Sequence, residues 1–393
     1  KPKFISVGVP YPVLTLIRMQ ILLFDMDGVL IEPHGYHAAL RDTVRKLGRL
    51  CGFPDADLSE EDIAAFESAG VSSEWDSSAM CLALLLKQAW KTDPEFTLPQ
   101  RLGAEPAPFS GPAPDFRAFA QALEPSRAGA AMPLERAALL LLDGTALNAR
   151  QIACLRQVLA QARDVPGLNF LLFQEFIAGS QAFAQLYHLP PAFACASYLH
   201  TCDRPILTPA AAAGMRAWLQ EPVHAAAFFT ARPGTAPTPI IAAPDAESGA
   251  ELLDLAQVPA AHQGRITWLG MQLGLPEQAL IKPAPAHALL GILLAAGLTL
   301  EACLPYMRAL TDNQPAQALP DALHGADVTV FEDSTGGMLS LQALAARLRP
   351  AGVPMQVHFC GISTHPGKRA ALQSLGAAVF DDIHQALQAA AVL

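Results

Sequence analysis

Two aspartates stand two residues apart in Phe24-Asp25-Met26-Asp27-Gly28, and a second acidic pair, Glu332-Asp333, lies far down the chain. If Asp25 ends a strand, the turn after it lets both of the first acids face one pocket. Two carboxylates in one pocket repel, and one tends to hold a proton. With Glu332 and Asp333 added, four acids cannot converge in a dry cleft without a cation. An all-oxygen ligand set suits Mg²⁺, which keeps some of its waters. Thr230 and Lys282 then have a task, holding the oxygens of a phosphate that the metal does not touch.

The elements around these residues favour such a meeting. Residues 20–24 (QILLF) form a short, continuously apolar run ending at Asp25, the pattern of a buried parallel strand. Residues 225–229 repeat it before Thr230, and 327–331 (DVTVF) before Glu332. Further strands are expected at 356–360 and 379–380, and one more at 266–269. Helices are expected at 209–219, 284–296 (just after Lys282), 340–347, 368–375 and 383–390. This alternation predicts an α/β fold, a doubly wound, Rossmann-like, mostly parallel sheet covered on both faces. Sites in such sheets form outside the carboxyl ends of the strands, where these polar groups fall. Residues 7–17 read as an additional strand with no evident role.

From residue 33 to 204 the pattern is helix and loop. Helices are expected at 37–47, 59–68, 73–90, 115–123, 134–142, 149–163 and 169–187, with a Pro-rich loop at 99–114. Ser59-Glu60-Glu61-Asp62 is a helix start with acids in its first turn. The expected organisation is a core of residues 1–32 and 205–393, with 33–204 as a large inserted all-helical cap domain.

In order along the chain, Asp25-Met26-Asp27-Gly28-Val29, Thr230, Lys282-Pro283 and Glu332-Asp333-Ser334 resemble the four motifs of the haloacid dehalogenase-like superfamily. The resemblance covers residues 20–32 and 209–393. It implies that Asp25 attacks phosphorus and carries an aspartyl-phosphate. Asp27 would protonate the leaving oxygen and then deprotonate the attacking water. The Thr230 hydroxyl and backbone N–H groups around Met26, Asp27 and Ala231 would bind phosphoryl oxygens, and Lys282 would neutralise charge. Asp25, the Asp27 backbone carbonyl and Asp333 would ligate Mg²⁺, with Glu332 acting through water. In this superfamily the dehalogenases lack an aspartate two places after the nucleophile, P-type ATPases have threonine there and phosphonatases a small residue. Asp27 therefore points to phosphatases and phosphomutases. A cap inserted between the first two motifs selects the substrate in such enzymes, and this one is longer than the usual small bundle.

Each residue also has a plain reading. Asp25 and Asp27 serve as turn or cap residues in many chains, Lys282 as a surface lysine, and Glu332-Asp333 as an exposed acidic turn. It is their ordered combination that carries the chemistry. Arg232 either reaches the phosphate or substrate or makes a structural ion pair. Tyr36 and His37, where the insert begins, are candidates for substrate contact. The run Ser72-Ser73-Glu74-Trp75-Asp76 reads first as a helix N-terminus, and otherwise as cap polar groups aimed at substrate. His365-Pro366 reads as a structural helix start.

A formal charge of -10 argues against a nucleic-acid surface, which needs clustered basic residues. Seven cysteines without a Cys-x-x-Cys read as reduced thiols in a cytoplasmic protein. Cys195, His200 and Cys202 lack the second ligand cluster that a zinc site would need. Pro2, Pro10 and Pro12 break any signal peptide. The apolar stretch 281–300 carries Lys282, Pro283, Pro285 and His287, which marks a buried helix rather than a membrane span. The expectation is a Mg²⁺-dependent phosphatase acting on a small phosphorylated metabolite, with neither nucleic acid nor membrane as partner. The long insert offers a surface for a homodimer. The competing expectations are a phosphomutase on a sugar phosphate and a non-catalytic binding protein on the same fold.

Overall fold

The computed structural model describes residues 18–71, 73–99, 105–123, 132–144, 146–312 and 324–393. The expected strand at 7–17, Ser72 and part of the 99–114 loop lie outside the described residues.

Eight strands are described: β1 (Gln20–Phe24), β2 (Ile31–Glu32), β3 (Arg204–Pro205), β4 (His224–Phe229), β5 (Ala260–Ala261), β6 (Asp327–Glu332), β7 (Gln356–Ile362) and β8 (Ala378–Phe380). Six form one parallel sheet in the order β5-β4-β1-β6-β7-β8. β1 is central, with Phe24 level with Phe228 on one side and Phe331 on the other. Its apolar run is continuous because both faces are covered. Ile21, Leu23, Ala227, Phe229, Val328 and Val330 enter one core, and Leu22, Phe24, Ala226, Phe228 and Phe331 the other. Side by side in the second core, Phe24 and Phe331 stack at 4.6 Å.

The helix Pro285–Ala295 is buried over most of its length in the first core. It comes close because the neighbouring strand is alanine-rich and because Gly291 has no side chain; a Cβ there would lie 3.2 Å from Leu23 Cδ2. The helices Pro209–Trp218 and Ile383–Ala389 bury Ala211, Ala212, Met215, Ile383 and Leu387 against the other face. The arrangement is an α/β, Rossmann-like core with helices on both sides of the sheet.

The chain leaves this core through β2 and returns through β3, which pair antiparallel. Between them every described element is a helix, from His34–Leu50 to Tyr198–Thr201. These helices bury a cluster of their own, including Leu40, Val44, Phe66, Leu82, Leu86 and Phe173. Ser59 caps Glu60–Ser68 through a reciprocal box with Asp62, the geometry its four-residue signature implies. No described helix is long and apolar enough to cross a membrane.

Two expectations are corrected. Residues 266–269 are not a strand but lie in the helix Gln263–Leu273; the strand is β5, just upstream. A short apolar run does not separate the two by periodicity. The decisive signals flank it: His262 caps the helix by accepting from Arg265 N, and Gly274 ends it at φ +70°. The single helix expected at 169–187 is two, Leu168–Ala178 and Ser180–Tyr187. Gly179 separates them at φ +81°, where a Cβ would lie 2.7 Å from Ser197 N.

Candidate active site

β1 delivers Asp25 to the carboxyl edge of the sheet, and Asp25 N–H still donates to Phe331 O at 3.0 Å. Met26 N–H donates to Asp25 Oδ1 at 2.8 Å, which fixes the carboxylate against its own turn. The turn closes with Gly28 N–H donating to Ile31 O at 2.8 Å and Ile31 N–H to Met26 O at 2.9 Å. Gly28 takes φ +72°, and a Cβ on it would lie 2.7 Å from Asp333 Oδ2. Glycine is thus required both for backbone conformation and for the approach of the second acidic pair.

Lys282 precedes the buried helix Pro285–Ala295 and points back at Asp25. Its Nζ lies 3.1 Å from Asp25 Oδ2 and 2.7 Å from Glu332 Oε1. Glu332 is fully buried and also accepts from Ser334 Oγ at 3.1 Å. Room for it exists because Gly337, on the following helix, lacks a side chain. His287 secures the lysine's backbone: its Nδ1 accepts from Lys282 N at 3.1 Å and its Nε2–H donates to Ala261 O at 2.9 Å. That tautomer follows from Nδ1 having to accept.

The electrostatics of this group are one-sided. Burial holds the Asp25 carboxyl above its ordinary range, and Asp27 and Asp333 push the same way against Lys282. Burial and then Asp25 push Glu332 up to about 8. Burial opposes the charge of Lys282, yet Asp25 and Glu332 hold its pKa above the usual value. Burial and the adjacent Lys282 lower His287 to about 3, so it is neutral. Were Asp25 and Glu332 both ionised, the one ammonium between them would leave an excess of negative charge. Asp25, Glu332 and Asp333 each offer an oxygen within 4.8 Å of the others, a group able to hold a metal ion.

Asp27 is about one-third exposed, and its carboxylate is gripped by Arg232 at 2.9 and 3.1 Å through Nε and 2.5 Å through Nη2. Arg232 is thus in an ion pair with Asp27, at the edge of the cavity that Asp27 lines. Its side chain is 1% exposed and also meets Asp203 Oδ2 at 2.8 Å. Thr230 is buried, and its hydroxyl accepts from Arg232 N–H at 3.2 Å.

A cavity of about 390 Å³ opens at this edge, lined by Asp25, Asp27, Gly28, Pro33, Ala231, Asp333 and Lys368. Lys368 sits in the first turn of the helix Pro366–Ser374, capped by His365, and its Nζ lies 2.5 Å from Asp333 Oδ2. On the side of the insert, Glu74 is pushed up to about 7 by burial, with Asp27 and Glu67 adding and His37 opposing. His37 bridges Glu60 and Glu67 at 3.5 and 3.4 Å. The Tyr36 hydroxyl donates to buried Asp245 at 2.8 Å.

Asp25, Lys282, Glu332 and Asp333 are therefore together, with Asp27 and Ala231 on the same cavity. Lys368, His287 and Asp203 carry no motif in the sequence. Only a lysine three residues into a helix start hints at the first of them.

No protein-family model matches the chain, and no curated protein does. Among solved structures, a crystal structure of a Northeast Structural Genomics Consortium target is similar at TM-score 0.55 and 15% identity, over 94% of this chain and 98% of that one. At that identity the likeness is one of fold. Phosphatase Tt82 from Thermococcus thioreducens aligns at TM-score 0.41 and 14% identity, over 90% of this chain and 99% of its own.

Proposed function

We propose that the protein is a Mg²⁺-dependent phosphatase of the haloacid dehalogenase-like type, hydrolysing a small phosphomonoester through an aspartyl-phosphate on Asp25. The observation that carries this reading is Asp25 at the end of the central strand, 3.1 Å from Lys282 and within 4.8 Å of Glu332 and Asp333 oxygens.

The donor set is carboxylate oxygen alone, and its excess negative charge matches a hard divalent cation. Asp25, Asp333 and Glu332 would hold Mg²⁺, with the Asp27 carbonyl. When bound, the ion polarises the phosphoryl group and offsets repulsion between it and the nucleophile.

Asp25 attacks phosphorus with one carboxylate oxygen, and the bond from phosphorus to the ester oxygen breaks. Asp27, on the same cavity, gives that oxygen its proton. A water then attacks phosphorus, Asp27 takes its proton, and the Asp25–phosphorus bond breaks. Lys282 steadies the charge passing between Asp25 and the phosphoryl group. The Ala231 and Asp27 N–H groups, with Thr230 shaping the loop of the former, complete the cradle. The helical insert acts as a cap that limits water, with His37 and Glu74 as its candidates for contact with the leaving group.

A panel of sugar phosphates, nucleotides, phosphorylated acids and an aryl phosphate, assayed for phosphate release with Mg²⁺ and with chelator, tests the reading. Release that needs Mg²⁺ supports it. No release from any ester, together with no Mg²⁺ binding by calorimetry, overturns it.

A further inference from the structure

Arg232 is placed unlike a surface ion-pair residue. Its guanidinium grips Asp27 through two nitrogens and Asp203 Oδ2 at 2.8 Å through Nη2, with the Tyr36 ring 5.4 Å away. A fork of this kind fixes the plane of the carboxylate it holds, not merely its distance. The two carboxylates differ in setting. Asp27 lines the cavity with about a third of its side chain exposed, whereas the Asp203 side chain is fully buried.

Asp203 immediately precedes β3, and its other oxygen accepts from Gly35 N–H at 2.7 Å. Gly35 lies just after β2, in the first turn of the helix His34–Leu50. The approach is tight, because a Cβ on Gly35 would lie 2.9 Å from both Asp203 Oδ1 and Tyr198 O. β2 and β3 are the two segments by which the chain passes from sheet to insert and back. A continuous line of hydrogen bonds therefore runs from Asp27 through Arg232 and Asp203 to the backbone of that crossing. Tyr36, next to Gly35, joins it to Asp245 at 2.8 Å.

We infer that Arg232 and Asp203 are positioning residues that tie Asp27 to the crossing between sheet and insert, so that displacement of the insert about β2 and β3 moves this carboxylate relative to Asp25. The inference rests on the reading of Asp27 as the proton-transfer group. A purely structural ion pair would not need a partner on the cavity wall.

Coupling of this kind is reciprocal. In the metal-free full chain, Asp27→Ala should raise amide exchange at Gly35 by about fivefold or more, since the line loses its far anchor. Arg232→Met should do the same, and Lys368→Ala, on the same cavity, should not. Unchanged Gly35 exchange in Asp27→Ala overturns the inference whether or not the chain is a phosphatase.

The turnover readout is a split between esters. An aryl leaving group departs without help from an acid; an alkyl one needs the proton. With saturating Mg²⁺, Asp203→Asn should lower kcat for an alkyl phosphate about 10- to 100-fold and for an aryl phosphate by less than about threefold. Arg232→Lys keeps the charge without the fork and should fall between Asp203→Asn and the parent on the alkyl ester. Equal losses on both esters would mean a structural role and overturn the inference. A parent inactive on every ester would instead sink the phosphatase reading, leaving amide exchange to decide the coupling.

Discussion

Gly28 and Asp333 are packed so closely that a single methyl group on the former would lie 2.7 Å from the carboxylate of the latter. Two constraints coincide there, a backbone at φ +72° and the junction of the two acidic pairs. Gly28→Ala should cost about 1–2 kcal/mol of stability from the left-handed backbone alone. It should also push Asp333 from the cavity, lowering Mg²⁺ affinity more than the thermal midpoint suggests. Calorimetric Mg²⁺ titration beside a melting curve checks this; unchanged Mg²⁺ affinity would contradict it.

Buried His287 gives a stability signature. Its pKa is lowered to about 3 in the folded chain, chiefly by burial, against an ordinary value of 6.5. Its contribution is present above pH 6.5 and is lost as pH falls toward 3, because only the unfolded chain takes the proton readily. The slope approaches about 1.4 kcal/mol per pH unit between those limits. Glu74 and Asp245, both pushed up to about 7, act in the opposite sense and lose stability as pH rises. The test is therefore a comparison: His287→Asn should flatten the acid side of the melting-point profile relative to the parent. Parallel profiles would refute it.

Lys368 competes for an oxygen that a metal would use. Its ammonium lies 2.5 Å from Asp333 Oδ2, and its side chain is about half exposed. Removing a screened positive charge beside a cation site should favour the cation modestly. Lys368→Ala is expected to tighten Mg²⁺ binding by about two- to fivefold, read by calorimetry at low salt. The gain should shrink at high salt, and weaker binding at both salts would contradict the assignment.

The residues that meet at the cavity were mostly legible because each follows a strand whose apolar run is unmistakable. Asp25, Thr230 and Glu332-Asp333 mark three strand ends, and adjacency of those strands in the sheet brings them together. Lys282 announced itself by standing before a buried helix. His287 did not, because a histidine in an apolar helix looks like core until its two ring partners are known. Asp203 gains its meaning from Gly35 and Arg232, distant in sequence and joined only by folding. Spacing alone does not show that Arg232 meets both Asp27 and Asp203. Among the elements, the short run 266–269 fits either period, and the break at Gly179 depends on its packing against Ser197, which spacing does not show.

The central claim is that Asp25 is the nucleophile. It is tested most directly by phosphate release from an aryl phosphate with saturating Mg²⁺, comparing the parent chain with Asp25→Asn. The account predicts a loss of at least about a thousandfold in kcat with the melting point preserved or raised, as expected when one of several crowded carboxylates is neutralised. Release by Asp25→Asn at the parent rate would contradict it.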